Sequence, residues 1–148
     1  MSIWRRQATL AELNQYMANT LASHIGIEFT EIGEDFLAAQ MPVNGDTRQA
    51  YGILHGGASA TLAETVGSIA GYLCVPENKF VVGLELNCNH VRAQREGVVT
   101  GTARPLHLGG LTQVWDVRIL NEEQKLVCVA RLTLAVLHGE SARMGDAA

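Results

Sequence analysis

From Ala58 to Leu73 the chain carries apolar residues at helical spacing. Leu62, Val66, Ile69 and Leu73 recur at i, i+4, i+7 and i+11, which predicts one apolar face of a long buried helix. A second stripe, Gly57, Ala60, Glu64, Gly67, Ser68 and Gly71, is built almost wholly of small residues. Glycine in a helix costs about 1 kcal/mol relative to alanine, so the stripe implies close approach of another backbone. Glu64 is the only charge in this run and is expected in a tight, largely buried groove. Upstream, Thr9-Leu10-Ala11-Glu12 spells a capping box, and Leu10, Leu13, Met17 and Leu21 predict a helix over 10–23, stopped at Gly26.

Elsewhere the period falls to two. Residues 27–32 and 36–41 predict strands joined across Gly33-Glu34-Asp35. Residues 42–50 read as a loop, and Pro76-Glu77-Asn78 as a turn. Val82, Leu84, Leu86, Cys88 and His90 then alternate with Gly83, Glu85, Asn87 and Asn89. Strands over 98–108 and 111–120 flank Gly109-Gly110, the second burying Trp115, Val117 and Ile119. Asn121 to Gln124 turns the chain into a strand over 126–137, with Leu126, Cys128, Ala130, Leu132, Leu134 and Val136 inward. The order is helix, two strands, one long helix, then about four antiparallel strands. That predicts an α+β domain over 1–138, with a curved antiparallel sheet wrapped around the central helix. Residues 139–148 are small and polar and predict a disordered tail.

Composition narrows the classes. At 148 residues, 47% hydrophobic and 18% charged, the chain fits one globular domain. A net charge of −4 argues against nucleic-acid binding, and no run is apolar enough to predict a membrane span. The start, MSIWRRQATL, lacks the apolar core of a secretory signal. Cys74, Cys88 and Cys128 share no metal or redox spacing and read as reduced interior thiols of a cytoplasmic protein. The five histidines show no pair at helical metal spacing, so no metal site is expected.

One chemistry fits what is left. The amides of Gly56 and Gly57 begin the long helix, where N–H groups are unpaired and the dipole is positive. They suit a carbonyl oxygen on which negative charge develops. His55 and Gln49 stand just upstream and are placed to polarise the same group. Glu64 would serve as nucleophile or as general base toward water. Gly56 and Glu64, however, lie eight residues apart, roughly 12 Å along a helix. A glutamate cannot span that distance and also attack at its own helix start. Donors and carboxylate should come from two antiparallel helices, most simply in a two-fold dimer with two shared sites. No G-x-S-x-G turn occurs, and no cysteine has an activating neighbour in sequence.

These residues resemble a known family. Thr47-Arg48-Gln49, Tyr51 through Gly57 and Leu62 through Ser68 are similar to the active-site region of hotdog-fold acyl-CoA thioesterases. The subgroup is that of the 4-hydroxybenzoyl-CoA and phenylacetyl-CoA thioesterases. The likeness continues through Ile3 to Arg6, Val82 to Glu85, Asn87 to Arg92, Pro105 to Gly109 and Arg131 to Thr133, thus nearly the whole chain. Within the subgroup it is greatest to the 1,4-dihydroxy-2-naphthoyl-CoA thioesterases of menaquinone synthesis, and almost as great to the proofreading thioesterases of enterobactin synthesis.

The resemblance implies a hotdog fold and a homotetramer built as a dimer of dimers. It implies that Glu64 is the catalytic carboxylate, that Gln49, His55 and the Gly56 amide engage the thioester oxygen, and that Ser68 positions water or carboxylate. For CoA it points to Gly83, to Asn89, His90, Val91 and Arg92, and to His107, Leu108, Gly109 and Gly110. CoA is then part of the substrate and no cofactor is expected; an acyl carrier protein is the alternative partner. One departure is that Ala50 and Tyr51 stand where relatives usually have proline and phenylalanine, which bears on acyl preference. A broad-specificity acyl-CoA hydrolase is a further alternative. A dehydratase on the same fold would need an Asp-His or His-Glu motif that is not found, and a non-catalytic acyl-CoA binding module would leave Glu64 unexplained.

Overall fold

In the computed structural model, which describes residues 1–139 and Met144, the capping box closes as its sequence predicts. Thr9 Oγ1 accepts from the Glu12 amide (3.2 Å), and Glu12 Oε2 accepts from the Thr9 amide (2.8 Å). The helix it starts, α1 (Leu10–Tyr16), is shorter than expected. Asn19 adopts a left-handed φ of 60°, which asparagine tolerates, and the chain restarts at Thr20 as α2 (Leu21–His24). One helix over 10–23 is therefore corrected to two. The break turns Leu13 and Met17 inward but leaves Leu21 63% exposed. Asn14 ties α1 to the sheet, its amide group bonding both the N–H and the carbonyl of Phe29.

The strands β1 (Glu28–Ile32) and β2 (Leu37–Pro42) form the expected hairpin, with Ile32 opposite Leu37 and the Gly33 amide donating to Phe36 O. The long helix α3 (Gly56–Leu73) follows, and Leu62, Val66, Ile69 and Leu73 are all buried. Then come β3 (Lys79–His90), β4 (Val98–Leu108), β5 (Thr112–Asn121) and β6 (Leu126–His138). All pair antiparallel in one six-stranded sheet of order β1-β2-β4-β5-β6-β3. Trp115, Val117 and Ile119 from β5 and Cys128, Ala130, Leu132 and Leu134 from β6 close over α3. This is the hotdog arrangement, a sheet wrapped around one central helix.

Two features depart from the simple pattern. In β3 the register shifts between Gly83 and Glu85, a bulge that resets the alternation. Val82 and Leu84, read from sequence as alternating in step with Leu86 and Cys88, therefore face out, Leu84 at 61% exposure. The small-residue stripe of α3 is also split. A Cβ on Gly67 would lie 2.6 Å from Leu132 Cδ2, and one on Gly71 would meet Leu134, Gln113 and Val81. These two glycines admit the protein's own sheet, while Glu64 lies on the exposed side of the helix. The buried groove expected for Glu64 is not present within one chain.

The N-terminal segment closes the far end of α3. The amides of Arg5 and Arg6 both donate to Leu73 O, and Trp4 Nε1 donates to Gly33 O. The Arg6 guanidinium stacks over Tyr72 and reaches the carbonyls of Val75, Pro76 and Lys79. Among the described residues no helix is long and apolar enough to cross a membrane. Apart from Gly139 and Met144, the tail expected over 139–148 lies outside the described residues.

Candidate active site

The loop before α3 is built to aim donors. Arg48 and Leu54 form an isolated antiparallel bridge, and between them the Gly52 amide donates to Gln49 O, with Gly52 at φ +79°. Inside this turn the Tyr51 amide donates to Gln49 Oε1. With its carbonyl oxygen accepting from Tyr51, the Gln49 side chain keeps its NH2 as a donor with no partner among the described residues. The loop ends at His55, the N-cap of α3, whose Nδ1 accepts from the Gly57 amide (2.7 Å). A ring nitrogen that accepts carries no proton, so the neutral imidazole bears its N–H on Nε2. Both side chains therefore present donors.

Of the first helical amides, Gly57 is thus used by His55 Nδ1, while Ala58 and Ser59 donate to His55 O. The Gly56 amide makes no hydrogen bond among the described residues. The pair of free amides expected from sequence reduces to this one. It points out at the positive end of an 18-residue helix.

Glu64 stands two turns further along α3. Its carboxylate makes no hydrogen bond or ion pair among the described residues and lies against β3, where a Cβ on Gly83 would be 2.5 Å from Oε1. Gly83 thus gives the carboxylate its room. Ser68, one turn on, is half-buried and makes no side-chain hydrogen bond among the described residues. Because α3 is continuous from Gly56, the roughly 12 Å between helix start and carboxylate stands.

The residues expected around CoA fall into separate places within the chain. Asn89 and His90 end β3, and His90 packs on the start of α3, its Nε2 2.9 Å from where a Gly56 Cβ would be. With Val91 and Arg92, His90 borders a cleft of about 300 Å³ that also reaches Gly56 and Ser59. Arg92, Arg95 and Arg48 are exposed cations around this end. Leu108, Gly109 and Gly110 border a second cleft of about 710 Å³, beside Trp4, Arg5 and Cys74, and His107 sits just before them on β4. Across the sheet Leu108 is level with Gln113, Leu134 and Gly83. Three strand spacings, about 14 Å, separate it from Gly83. One chain does not gather these groups around one ligand.

Spacing gave no hint of another group. The register of β3 against β6 sets His90 opposite Cys128, with Cys88 two residues along on the same face. The ligand atoms of Cys88, His90 and Cys128 lie within 4.8 Å of one another. Strand pairing joins residues that are far apart in sequence, which the spacing of cysteines and histidines does not register. Burial pushes the Cys128 thiol up to about 12, and burial likewise raises Cys88, with the charges of Glu64 and Glu85 adding to it. Burial also pushes Cys74 up to about 12. All three cysteines are free.

Comparison with known proteins agrees with this fold. Residues 51–128 match the family model described as "Thioesterase superfamily". The 1,4-dihydroxy-2-naphthoyl-CoA hydrolase of Escherichia coli is 50% identical over 135 residues, 91% of this chain and 99% of that one. The proofreading thioesterase EntH of Cronobacter turicensis is 48% identical, covering 91% and 98%. The crystal structure of a thioesterase from Haemophilus influenzae superposes with a TM-score of 0.91 at 51% identity, covering 92% of this chain and 95% of that one.

Proposed function

The chain belongs to the thioesterase superfamily and is a thioester hydrolase, and on that premise we propose that it hydrolyses aromatic acyl-CoA thioesters with Glu64 as the catalytic carboxylate. The substrate we assign is 1,4-dihydroxy-2-naphthoyl-CoA, on the route to menaquinone, after the 50% identical hydrolase of that name. One observation carries the mechanism. Among the described residues, a carboxylate without a partner and a helix-start amide without a partner occupy the same α3, two turns apart.

The two groups act in different sites. In a dimer with antiparallel α3 helices, the start of one helix meets the middle of the other. The thioester oxygen is held by the Gly56 amide, the Nε2–H of His55 and the NH2 of Gln49. As the carbonyl carbon becomes tetrahedral, these donors take up the charge on oxygen. Glu64 either removes a proton from the attacking water or attacks the carbon itself, forming an anhydride that water then cleaves. Either way the C–S bond breaks, and CoA leaves as a thiolate that takes up a proton. Ser68 holds the water or the carboxylate. A polarised carbonyl and an attacking oxygen suffice, so no resident cofactor is required.

The unpaired edge of β3, with Val82 and Leu84 exposed, supports pairing of two sheets along that edge. Such pairing would also bring the CoA groups of two chains together, Asn89 to Arg92 and His107 to Gly110. We extend the dimer to a dimer of dimers, and place the protein in the cytoplasm, where free thiols persist. The 48% identical proofreading thioesterase favours one second reading, release of misplaced aryl groups from an acyl carrier protein. Thiol release measured over aromatic, phenylacetyl and aliphatic acyl-CoAs, and over an aryl-carrier protein, tests both. The proposal expects the highest kcat/KM on a fused-ring aromatic acyl-CoA. A preference for the carrier-bound aryl group selects the second reading, and a flat profile or an aliphatic preference contradicts both.

A further inference from the structure

Cys88 and Cys128 have no part in the hydrolysis described above, and the sheet sets them beside His90, which belongs to the segment proposed to hold CoA. We propose that these three side chains form a binding site for a thiophilic d10 cation, zinc or a close analogue, and that its occupancy lowers turnover.

The argument starts from register. His90 faces Cys128 across the β3–β6 ladder, and Cys88 precedes His90 by two residues, so all three project from one face. Two sulfurs and one imidazole are a donor set that suits Zn2+. Metal–sulfur bonds of about 2.3 Å place two sulfurs about 3.8 Å apart in a tetrahedral site. The ligand atoms lie within 4.8 Å of one another, close to that spacing. Cys128 is fully buried, Cys88 half-buried and His90 exposed, which gives the ion both a closed floor and an entry path. Three protein ligands leave the fourth position to water. The carboxylates of Glu64 and Glu85 act on the Cys88 thiol through their charge, and the same negative field draws a cation.

The effect on turnover rests on the thioesterase reading. His90 packs directly on Gly56, whose amide is assigned to the thioester oxygen. An imidazole drawn into coordination toward Cys88 and Cys128 changes the wall of that cleft. Occupancy therefore acts at the helix start without touching Glu64.

Binding is read without substrate, so its outcome is separate from that of the thioesterase reading. Reduced full-length protein is titrated with Co2+, and the thiolate-to-cobalt absorption bands are followed, then reversed with Zn2+. The expected result is one ion per chain, with the bands lost in Cys88→Ala and Cys128→Ala and kept in Cys74→Ala. Cys88→Ala is the decisive variant, since Cys128 is buried and its loss perturbs folding as well. Absence of thiolate bands in the native protein, equal binding by Cys88→Ala, or a Cys88–Cys128 disulfide in place of metal uptake overturns the site. Turnover is then followed by loss of acyl-CoA on chromatography, because released CoA would itself chelate zinc. Zinc should inhibit the native enzyme and Cys74→Ala but not Cys88→Ala, whose zinc-free rate matches the native rate. Metal binding with unchanged turnover overturns the inhibitory role.

Discussion

At the scale of single residues, the site is defined by which hydrogen-bonding atoms are already taken. Gln49 and His55 each have their acceptor satisfied by a neighbouring backbone N–H, which leaves only donors to offer. His55 thus has two roles, N-cap and donor, and two substitutions separate them. His55→Ala should lower stability by about 1 kcal/mol and turnover by about 10²-fold. His55→Ser should restore the cap, read by denaturant unfolding, but not the rate. Recovery of the rate in the serine variant would reduce His55 to a cap. Residue types were legible here from sequence: a histidine before two glycines, a lone glutamate in an apolar helix. Which amide stays free was not legible, because that depends on the side-chain bond from His55 Nδ1 to Gly57. The Cys88–His90–Cys128 group was equally hidden, since only the pairing of β3 with β6 brings Cys128 to the other two.

At the scale of elements, period alone located α3 and the buried faces of β5 and β6. What period cannot register is a single inserted residue. The bulge at Gly83 to Glu85 turned Val82 and Leu84 outward, and left-handed Asn19 broke the first helix after its capping box had started it correctly. The small stripe of α3 also read correctly as a mark of close approach, but the approaching group at Gly67 and Gly71 is the sheet of the same chain. Gly71 has the most to lose. A methyl there meets Leu134 and Val81 and crowds Gln113, which is buried, accepts from Trp115 Nε1 at 3.0 Å and donates to Gly71 O. Overpacking costs about 1–3 kcal/mol, against roughly 1 kcal/mol gained in helix propensity. Gly71→Ala should therefore be net destabilising by about 1 kcal/mol in urea unfolding. A stabilised variant would show that the helix has room to move away from the sheet.

At the scale of the whole molecule, distances within the chain motivate the proposal that two chains share each site. The start and the middle of α3 are too far apart to act together, His90 to Arg92 and Leu108 to Gly110 border two separate clefts, and among the described residues the outer edge of β3 has no neighbouring strand. A shared site makes a distinctive prediction. Co-expressed subunits carrying Glu64→Ala and His55→Ala, each nearly inactive alone, should assemble with about a quarter of the sites intact. Thiol release near a quarter of the native rate is the expected reading, and no recovery would place both groups in a single chain's site. The most direct test of the central claim is simpler still. Glu64→Ala, shown by unfolding and light scattering to fold and assemble as the native protein does, is assayed for thiol release from an aromatic acyl-CoA. The account predicts a fall in kcat of about 10²- to 10⁴-fold; a variant that turns over at the native rate would contradict it.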